Sequence, residues 1–144
     1  MNRLIMLEDD LERIARFQRV IQQHYPNAEL TVFRTATAFI DGYTRQEHSP
    51  DLVCLDHDLF PDSSEDPDPG DGRGVAAFLV TQTPNAPALI HSTNASAADS
   101  MLFLMEEHGW NVERIAPLGD DWIESYWFPS AREMIAKHSN NRIE

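Results

Sequence analysis

The amino-acid sequence predicts one α/β domain built on a parallel, doubly wound sheet of five strands with helices on both faces. Three observations predict it. Short apolar runs alternate five times with segments of helical periodicity. Most of the connections between them are short, and a length of 144 residues suits one domain with its own core. We expect the strand order 2-1-3-4-5, with residues 1–144 forming the single domain.

Each predicted strand is a short run of apolar residues, and several of these runs end directly in polar ones. In chain order the strands are Arg3–Leu7, Glu29–Phe33, Leu52–Leu55, Pro87–His91 and Val112–Pro117. The third is apolar at every position and contains a β-branched valine, which is typical of a strand buried on both faces of a parallel sheet. We therefore place it at the centre of the sheet.

The predicted helices have apolar residues at helical spacing. They are Asp10–His24, Thr35–Gln46, Arg73–Thr83, Ala95–His108 and Trp122–His138. Asp9 or Asp10 can cap the first helix, and Pro129 predicts a kink or a restart in the last one. The stretch Phe60–Gly72 is rich in proline, glycine, serine and acids, which predicts a long loop whose middle is exposed to solvent. From Ser139 to the end, residues 139–144, we expect a frayed tail.

Composition excludes several classes of function. The net charge of −13 argues against non-specific binding to nucleic-acid backbones, but it leaves room for a small phosphorylated ligand held through a cation. The single cysteine, Cys54, rules out an internal disulfide and a thiolate metal site, and predicts a small buried hydrophobe. No apolar stretch approaches the ~20 residues of a membrane span, and the N-terminus does not resemble a signal peptide. We expect a cytoplasmic protein.

Carboxylates follow the first and third predicted strands. Glu8 and Asp9 come after the first, and Asp56 and Asp58 come after the third. In a sheet of this order, ligands bind beyond the carboxyl ends of the strands, at the switch point between strands 1 and 3. Clustered carboxylate oxygens favour Mg²⁺ or Mn²⁺, so we predict a metal site formed by these four acids. The alternative is that Asp9 only caps a helix and Glu8 faces water.

The same chain features occur in matching places of a known family. They are the acidic pair Glu8-Asp9, Asp56 at the end of DLVCLD, the pair Asp71-Gly72 and the hydroxyl residue Ser92. In these features, as far as about Pro117, the sequence resembles the receiver domains of two-component response regulators, which have a flavodoxin-like fold. The resemblance implies that the three acids hold Mg²⁺, that Asp56 accepts a phosphoryl group from a histidine kinase and that Ser92 contacts it. Receivers carry a lysine where this chain has Ala116.

Further stretches are similar to a narrower group, the cyclic-phosphate processing receiver domains. The stretches are LEDD, CLDHDLF, GDGRGVAAFL, IHSTN and GDDWIE. This resemblance implies the processing of a cyclic phosphate, either a small molecule or an RNA-derived end.

Opening a cyclic phosphodiester with water needs a base, an acid and positive charge on the phosphate. His57 and His91 end neighbouring strands and are candidates for the acid–base pair. Adjacent residues of a strand point to opposite faces, however, so the sequence leaves open whether Asp56 and His57, or His91 and Ser92, both reach one cleft.

Four residues are candidates for binding the phosphate itself. Ser92, Thr93 and Asn94 can donate hydrogen bonds to it, and Arg73 can clamp one of its oxygens. Arg73 could equally pair with one of the neighbouring acids, Asp68 or Asp71.

Three hypotheses of function follow. The first is a Mg²⁺-dependent hydrolase of a cyclic phosphate. The second is a signalling receiver that a histidine kinase phosphorylates on Asp56. The third is a degenerate receiver that only binds a protein partner. The absent lysine weakens the second hypothesis, and the retained acids weaken the third.

Overall fold

A parallel sheet runs through the middle of the molecule. Its strands are β1 (Arg3–Leu7), β2 (Glu29–Phe33), β3 (Leu52–Leu55), β4 (Ala88–His91) and β5 (Val112–Ile115). In the computed structural model, which describes residues 2–143 and the side chains of residues 2–140, they lie in the order β2-β1-β3-β4-β5 and pair in parallel. The predicted fold class and strand order are confirmed.

Helices cover both faces of the sheet. They are α1 (Leu11–His24), α2 (Ala36–Arg45), α3 (Gly72–Leu79), α4 (Ala95–Glu107) and α5 (Phe128–Ile143). Helices α2, α3 and α4 pack on one face, and α1 and α5 pack on the other. Within the described residues, no helix is both long enough and apolar enough to cross a bilayer.

Helix α3 ends at Leu79, earlier than the predicted Thr83. The amides of Thr81 and Gln82 donate to carbonyls three residues back, and the Thr81 hydroxyl donates to the Phe78 carbonyl at 2.6 Å. A threonine that bonds its own backbone competes with the helical ladder, so the helix closes in a turn before Pro84.

The last helical segment changes its geometry where the sequence predicted a kink or a restart. Residues Ile123–Trp127 form a π-helical turn, and α5 then begins at Phe128. Pro129 therefore lies in the first turn of α5, directly after the π-helical turn. The backbone predicted to fray from Ser139 is helical as far as Ile143, and Glu144 lies outside the described residues.

Alternation along the strands divides the core into two layers. Strand residues under α2, α3 and α4 are Ile5, Leu7, Val53, Leu55, Ala88 and Ile90. Those under α1 and α5 are Leu4, Met6, Leu52, Cys54 and Leu89. The alternation continues past the strand ends, so it assigns Glu8, Asp56 and His91 to the α1/α5 face and His57 and Ser92 to the other.

Cys54 is fully buried in the α1/α5 layer. Burial raises the pKa of its thiol, because a thiolate there would lose its hydration. The expectation of a small buried hydrophobe is confirmed.

Candidate functional site

Three carboxylates meet at the carboxyl edge of β1 and β3. Glu8, Asp9 and Asp56 each offer an oxygen, and these oxygens all lie within 4.8 Å of one another. They converge because β1 and β3 pair directly, with Leu7 opposite Leu55, and because the amide of Asp56 donates to the Leu7 carbonyl at 3.1 Å. The structure therefore gathers acids that are far apart in the sequence.

Glu8 is fully buried and held from two sides. Its Oε2 accepts hydrogen bonds from the amides of Asp9 at 2.9 Å and Asp10 at 3.1 Å, and its Oε1 lies 3.0 Å from Nε2 of His91. Burial alone would raise the pKa of Glu8. Four interactions together outweigh burial and lower this pKa. They are the hydrogen bond with His91, the charge of His91, the hydrogen bond from the Asp10 amide and the charge of Arg13. The alternative that Glu8 faces water is wrong.

Asp56 is buried, with 4% of its surface exposed. Its Oδ1 accepts a hydrogen bond from the amide of His57 at 2.8 Å. Burial and the nearby charge of Glu8 raise the pKa of Asp56 to about 8, since one more negative charge here is poorly compensated.

Asp9 ties the acidic cluster to the long loop. Its Oδ2 accepts a hydrogen bond from the amide of Phe60 at 2.7 Å, while Asp10 caps α1 by accepting from the amide of Arg13. Of the two capping residues that the sequence allowed, Asp10 is the one observed. Burial, with the charge of Glu8, raises the pKa of Asp9.

Arg13 is a site residue that the sequence reasoning missed. Its Nη1 lies 3.5 Å from Oε1 of Glu8 and 3.9 Å from Oδ2 of Asp56, and its guanidinium carbon lies 5.6 Å from the centroid of the Trp122 ring. The signal was a basic residue in the first turn of a helix. The helix dipole disfavours a cation there, so its presence beside the acidic pair needed another explanation.

The two histidines do not form a pair. His91 is fully buried, its ring centroid is 5.1 Å from that of Phe17 and 5.9 Å from that of Trp122, and its hydrogen bond goes to Glu8. This ring orients Glu8, and it contacts the α1/α5 layer.

His57 contacts the loop side instead. Its Nδ1 lies 2.8 Å from Oδ1 of Asp58, and its Nε2 lies 3.7 Å from Oδ2 of Asp71. The structure thus pairs His57 with Asp58, whereas His91 pairs with Glu8. Asp58 is not among the acids that converge with Glu8.

The residues after β4 hold the start of α4. Ser92 is buried, and its hydroxyl accepts a hydrogen bond from the amide of Asn94 at 3.1 Å. The side chain of Asn94 caps α4 through the amide of Ala97 at 3.1 Å. Thr93 is exposed at the edge of the sheet. Of these predicted phosphate ligands, Ser92 and Asn94 therefore already have side-chain oxygens that accept backbone hydrogen bonds.

Arg73 lies in the first turn of α3 and is exposed. Among the side chains described, no ion pair joins it to Asp68 or Asp71, whose carboxylates accept from the amides of Gly70 and Gly74. The structure does not bring Arg73 to the acidic cluster.

The long loop is anchored at its ends and exposed in its middle, residues 61–68, as predicted. Asp58 bridges to Asp71 at its base, and Arg34 pairs with Asp62 at 2.7 Å while donating to the carbonyl of Asp9 at 3.2 Å. The loop and the start of α2 enclose a cavity of about 520 Å³ that Phe60 also lines.

Because Gly72 has no side chain, α3 can begin in close contact with the backbone of Asp56 and His57. Replacing Gly72 tests this close approach. A Cβ at this position would overlap the carbonyl oxygen of Asp56 and lie 2.8 Å from Cα of His57. We expect Gly72→Ala to lower the free energy of unfolding by about 2 kcal/mol, a typical cost of overpacking, as measured by urea denaturation. Gly74→Ala is the matched control, because the nearest atom to its Cβ would be 3.6 Å away. Equal stability of the two variants would contradict the close approach.

Comparison with known families identifies the chain. The family model described as "Cyclic-phosphate processing Receiver domain" matches residues 3–107, which is most of the sequence. The chain belongs to this family. Among curated proteins, none matches it.

Solved structures that resemble this cyclic-phosphate processing receiver domain include receivers of response regulators. A CheY-like receiver from Methanospirillum hungatei JF-1 is 13% identical, with a TM-score of 0.71 over 98% of each chain. The BeF3-activated receiver domain of Klebsiella pneumoniae RstA is 20% identical, with a TM-score of 0.66 over 93% of this chain and 98% of that one. The Mn(2+)-bound form of response regulator Rcp1 is 22% identical, with a TM-score of 0.63 over 88% and 94%. At such identities the likeness establishes the fold.

Proposed function

We propose that this receiver domain binds Mg²⁺ or Mn²⁺ at Glu8, Asp9 and Asp56 and opens a cyclic phosphodiester with water. The substrate is a small cyclic phosphate or an RNA-derived end. One observation carries the proposal: in a member of the cyclic-phosphate processing family, three carboxylate oxygens lie within 4.8 Å of one another.

The residues of the cluster fit a hard divalent cation. All three donors are carboxylate oxygens, and three protein ligands leave coordination positions for water and a phosphate oxygen. Burial and the negative charge of Glu8 raise the pKa of Asp56, and a bound cation would compensate that charge. When bound, such an ion polarises the phosphate and makes a coordinated water more acidic.

The surrounding side chains suggest separate tasks. His91 is a positioning residue, since it and two amides hold the Glu8 carboxylate in one orientation. Asp58 orients the His57 ring through Nδ1, and Nε2 of that ring has no hydrogen-bond partner among the described residues. His57 is therefore our candidate for the general acid–base group.

The proposed reaction is a hydrolysis that balances without an oxidant or reductant. A water oxygen bonds to phosphorus and the ring P–O bond breaks. The leaving oxygen takes a proton from Nε2 of His57, and the proton that the water loses restores the one that His57 has given up. Ser92 and Thr93, with amides at the start of α4, would donate hydrogen bonds to the phosphate oxygens.

A second function has one observation in its favour. Asp56 follows the central strand of a receiver fold, which is the setting of a phosphoacceptor that a histidine kinase would phosphorylate. Ala116, where receivers carry a lysine, weighs against it. A pure binding module remains a third hypothesis, and the retained acidic cluster weighs against that one.

One experiment separates these functions. The protein is incubated with Mg²⁺ and either acetyl phosphate or a panel of 2′,3′-cyclic and 3′,5′-cyclic nucleotides and RNA with a 2′,3′-cyclic phosphate end. Ring opening is followed by ³¹P NMR, and phosphorylation of Asp56 by mass spectrometry. We expect ring-opened product from the wild type and at least a 100-fold loss of rate in Asp56→Asn and His57→Ala.

The matched controls are Asp99→Asn and His48→Ala, which change exposed side chains away from the site and should retain the rate. Stable phosphoaspartate without ring opening would contradict the hydrolase and favour the signalling receiver. No reaction in either arm would favour the binding module.

A further inference from the structure

Arg13 faces the acidic cluster without being hydrogen-bonded to it. Its distances to Glu8 and Asp56, 3.5 and 3.9 Å, are ion-pair distances longer than a direct N–H···O bond. Within the described residues, no hydrogen bond from its guanidinium is found. The guanidinium is instead positioned by the Trp122 ring beneath it. Its planar set of N–H donors thus lies at the site in ion pairs with the acids but makes no hydrogen bond to them.

We propose that Arg13 is the phosphate-binding cation of this site, reaching it from α1. The inference rests on the proposed function in that the ligand is a phosphate. A guanidinium can give two parallel hydrogen bonds to two oxygens of one phosphate, which a single ammonium group cannot reproduce with the same geometry.

Charge balance at the site supports this role. Three carboxylates and one divalent cation still leave one negative charge, which would repel an anionic phosphate. The positive charge of Arg13 cancels it beside the cluster. The chain as a whole carries a net charge of −13, so local positive charge beside the metal site would favour the approach of a phosphate.

Two other arginines near this edge of the sheet are already committed. Arg34 bonds Asp62 and the carbonyl of Asp9. Arg114 donates to the carbonyl of Ser92 at 3.1 Å. Arg13 combines direct proximity to the acids with partial exposure, at 29% of its side chain, so solvent-borne phosphate can reach it.

The test measures binding, and it does not depend on turnover. Isothermal titration calorimetry gives the dissociation constant of inorganic phosphate for the Mg²⁺-loaded protein and, separately, that of Mg²⁺ alone. We expect Arg13→Ala to weaken phosphate binding 10- to 100-fold and Arg13→Lys to weaken it less. We expect Mg²⁺ to bind Arg13→Ala at least as tightly as the wild type, because a repelling cation has been removed.

Arg19→Ala is the matched control. It removes the same charge from an exposed position of the same helix and should leave both constants within twofold. The opposite signs expected for phosphate and Mg²⁺ also distinguish a loss of ligand contact from a damaged fold.

Three results would overturn the proposal. They are unchanged phosphate binding in Arg13→Ala, weaker Mg²⁺ binding in that variant, and loss of phosphate binding in Arg114→Ala alone. If phosphate binding depends on Arg13 but no cyclic phosphate is opened, the inference stands and the proposed hydrolase fails.

Discussion

Replacing Asp56 with asparagine is expected to stabilise the metal-free protein at pH 8 by about 2–4 kcal/mol. The pKa of this carboxyl is about 8 in the folded chain, against 3.8 for an ordinary aspartate. Between these pH values the folded chain keeps a proton that the unfolded chain has lost. The free energy of unfolding therefore falls as pH rises, by at most about 1.4 kcal/mol per pH unit.

The sign gives a clear pH profile. The stability linked to Asp56 is fully present below about pH 4 and is lost as pH rises through about 8. Asp56→Asn keeps an oxygen that can accept from the His57 amide but carries no charge at any pH. The gap between variant and wild type should therefore grow from pH 5 to pH 8.

Urea denaturation in EDTA at pH 5, 6.5 and 8 measures this gap. Asp99→Asn is the control, since that exposed side chain should change stability by less than about 0.5 kcal/mol at each pH. Millimolar Mg²⁺ should then raise the stability of the wild type and not that of Asp56→Asn. If the difference in free energy of unfolding shrinks as pH rises, Asp56 is not the acid of the cluster with the raised pKa.

Replacing His91 with alanine is expected to lower the free energy of unfolding by about 3–5 kcal/mol. The substitution removes the His91–Glu8 hydrogen bond and leaves a fully buried carboxylate short of a partner. It also leaves a cavity where the ring packs between Phe17 and Trp122.

Chemical denaturation at pH 7 tests this, with His108→Ala as the control on an exposed helix end. A double-mutant cycle with Glu8→Gln separates the effect of the unpaired carboxylate from that of the cavity. The double variant leaves no charged group without a partner, so its loss of stability should be smaller than the sum for the single variants. If His91→Ala costs under about 1 kcal/mol yet abolishes turnover, His91 acts on the substrate directly and the positioning role is wrong.

The fold was largely predictable because its signals are local. The apolar run Leu52–Leu55 and the polar residues after it predict a buried strand that ends at a site. The order of the strands follows from general rules for parallel sheets, so Glu8 and Asp56 could be placed together before any coordinates were known.

The predicted end of α3 at Thr83 was wrong because a side-chain hydrogen bond competes with the helical pattern. The end of α3 depends on a hydroxyl of Thr81 that bonds a backbone carbonyl, and no hydrophobic periodicity reports such a bond.

Hydrophobic periodicity and chain topology suffice to predict the fold, the strand order and the meeting of three acids at one edge of the sheet. The environment of each group, in contrast, arises from contacts in the folded chain. His91 holds Glu8 on one face of the sheet, His57 contacts Asp58 on the other, and Arg13 of α1 lies beside the acids. The physical reason is that charge, burial and hydrogen bonding depend on contacts between segments distant in sequence, and the pattern along the chain does not carry them.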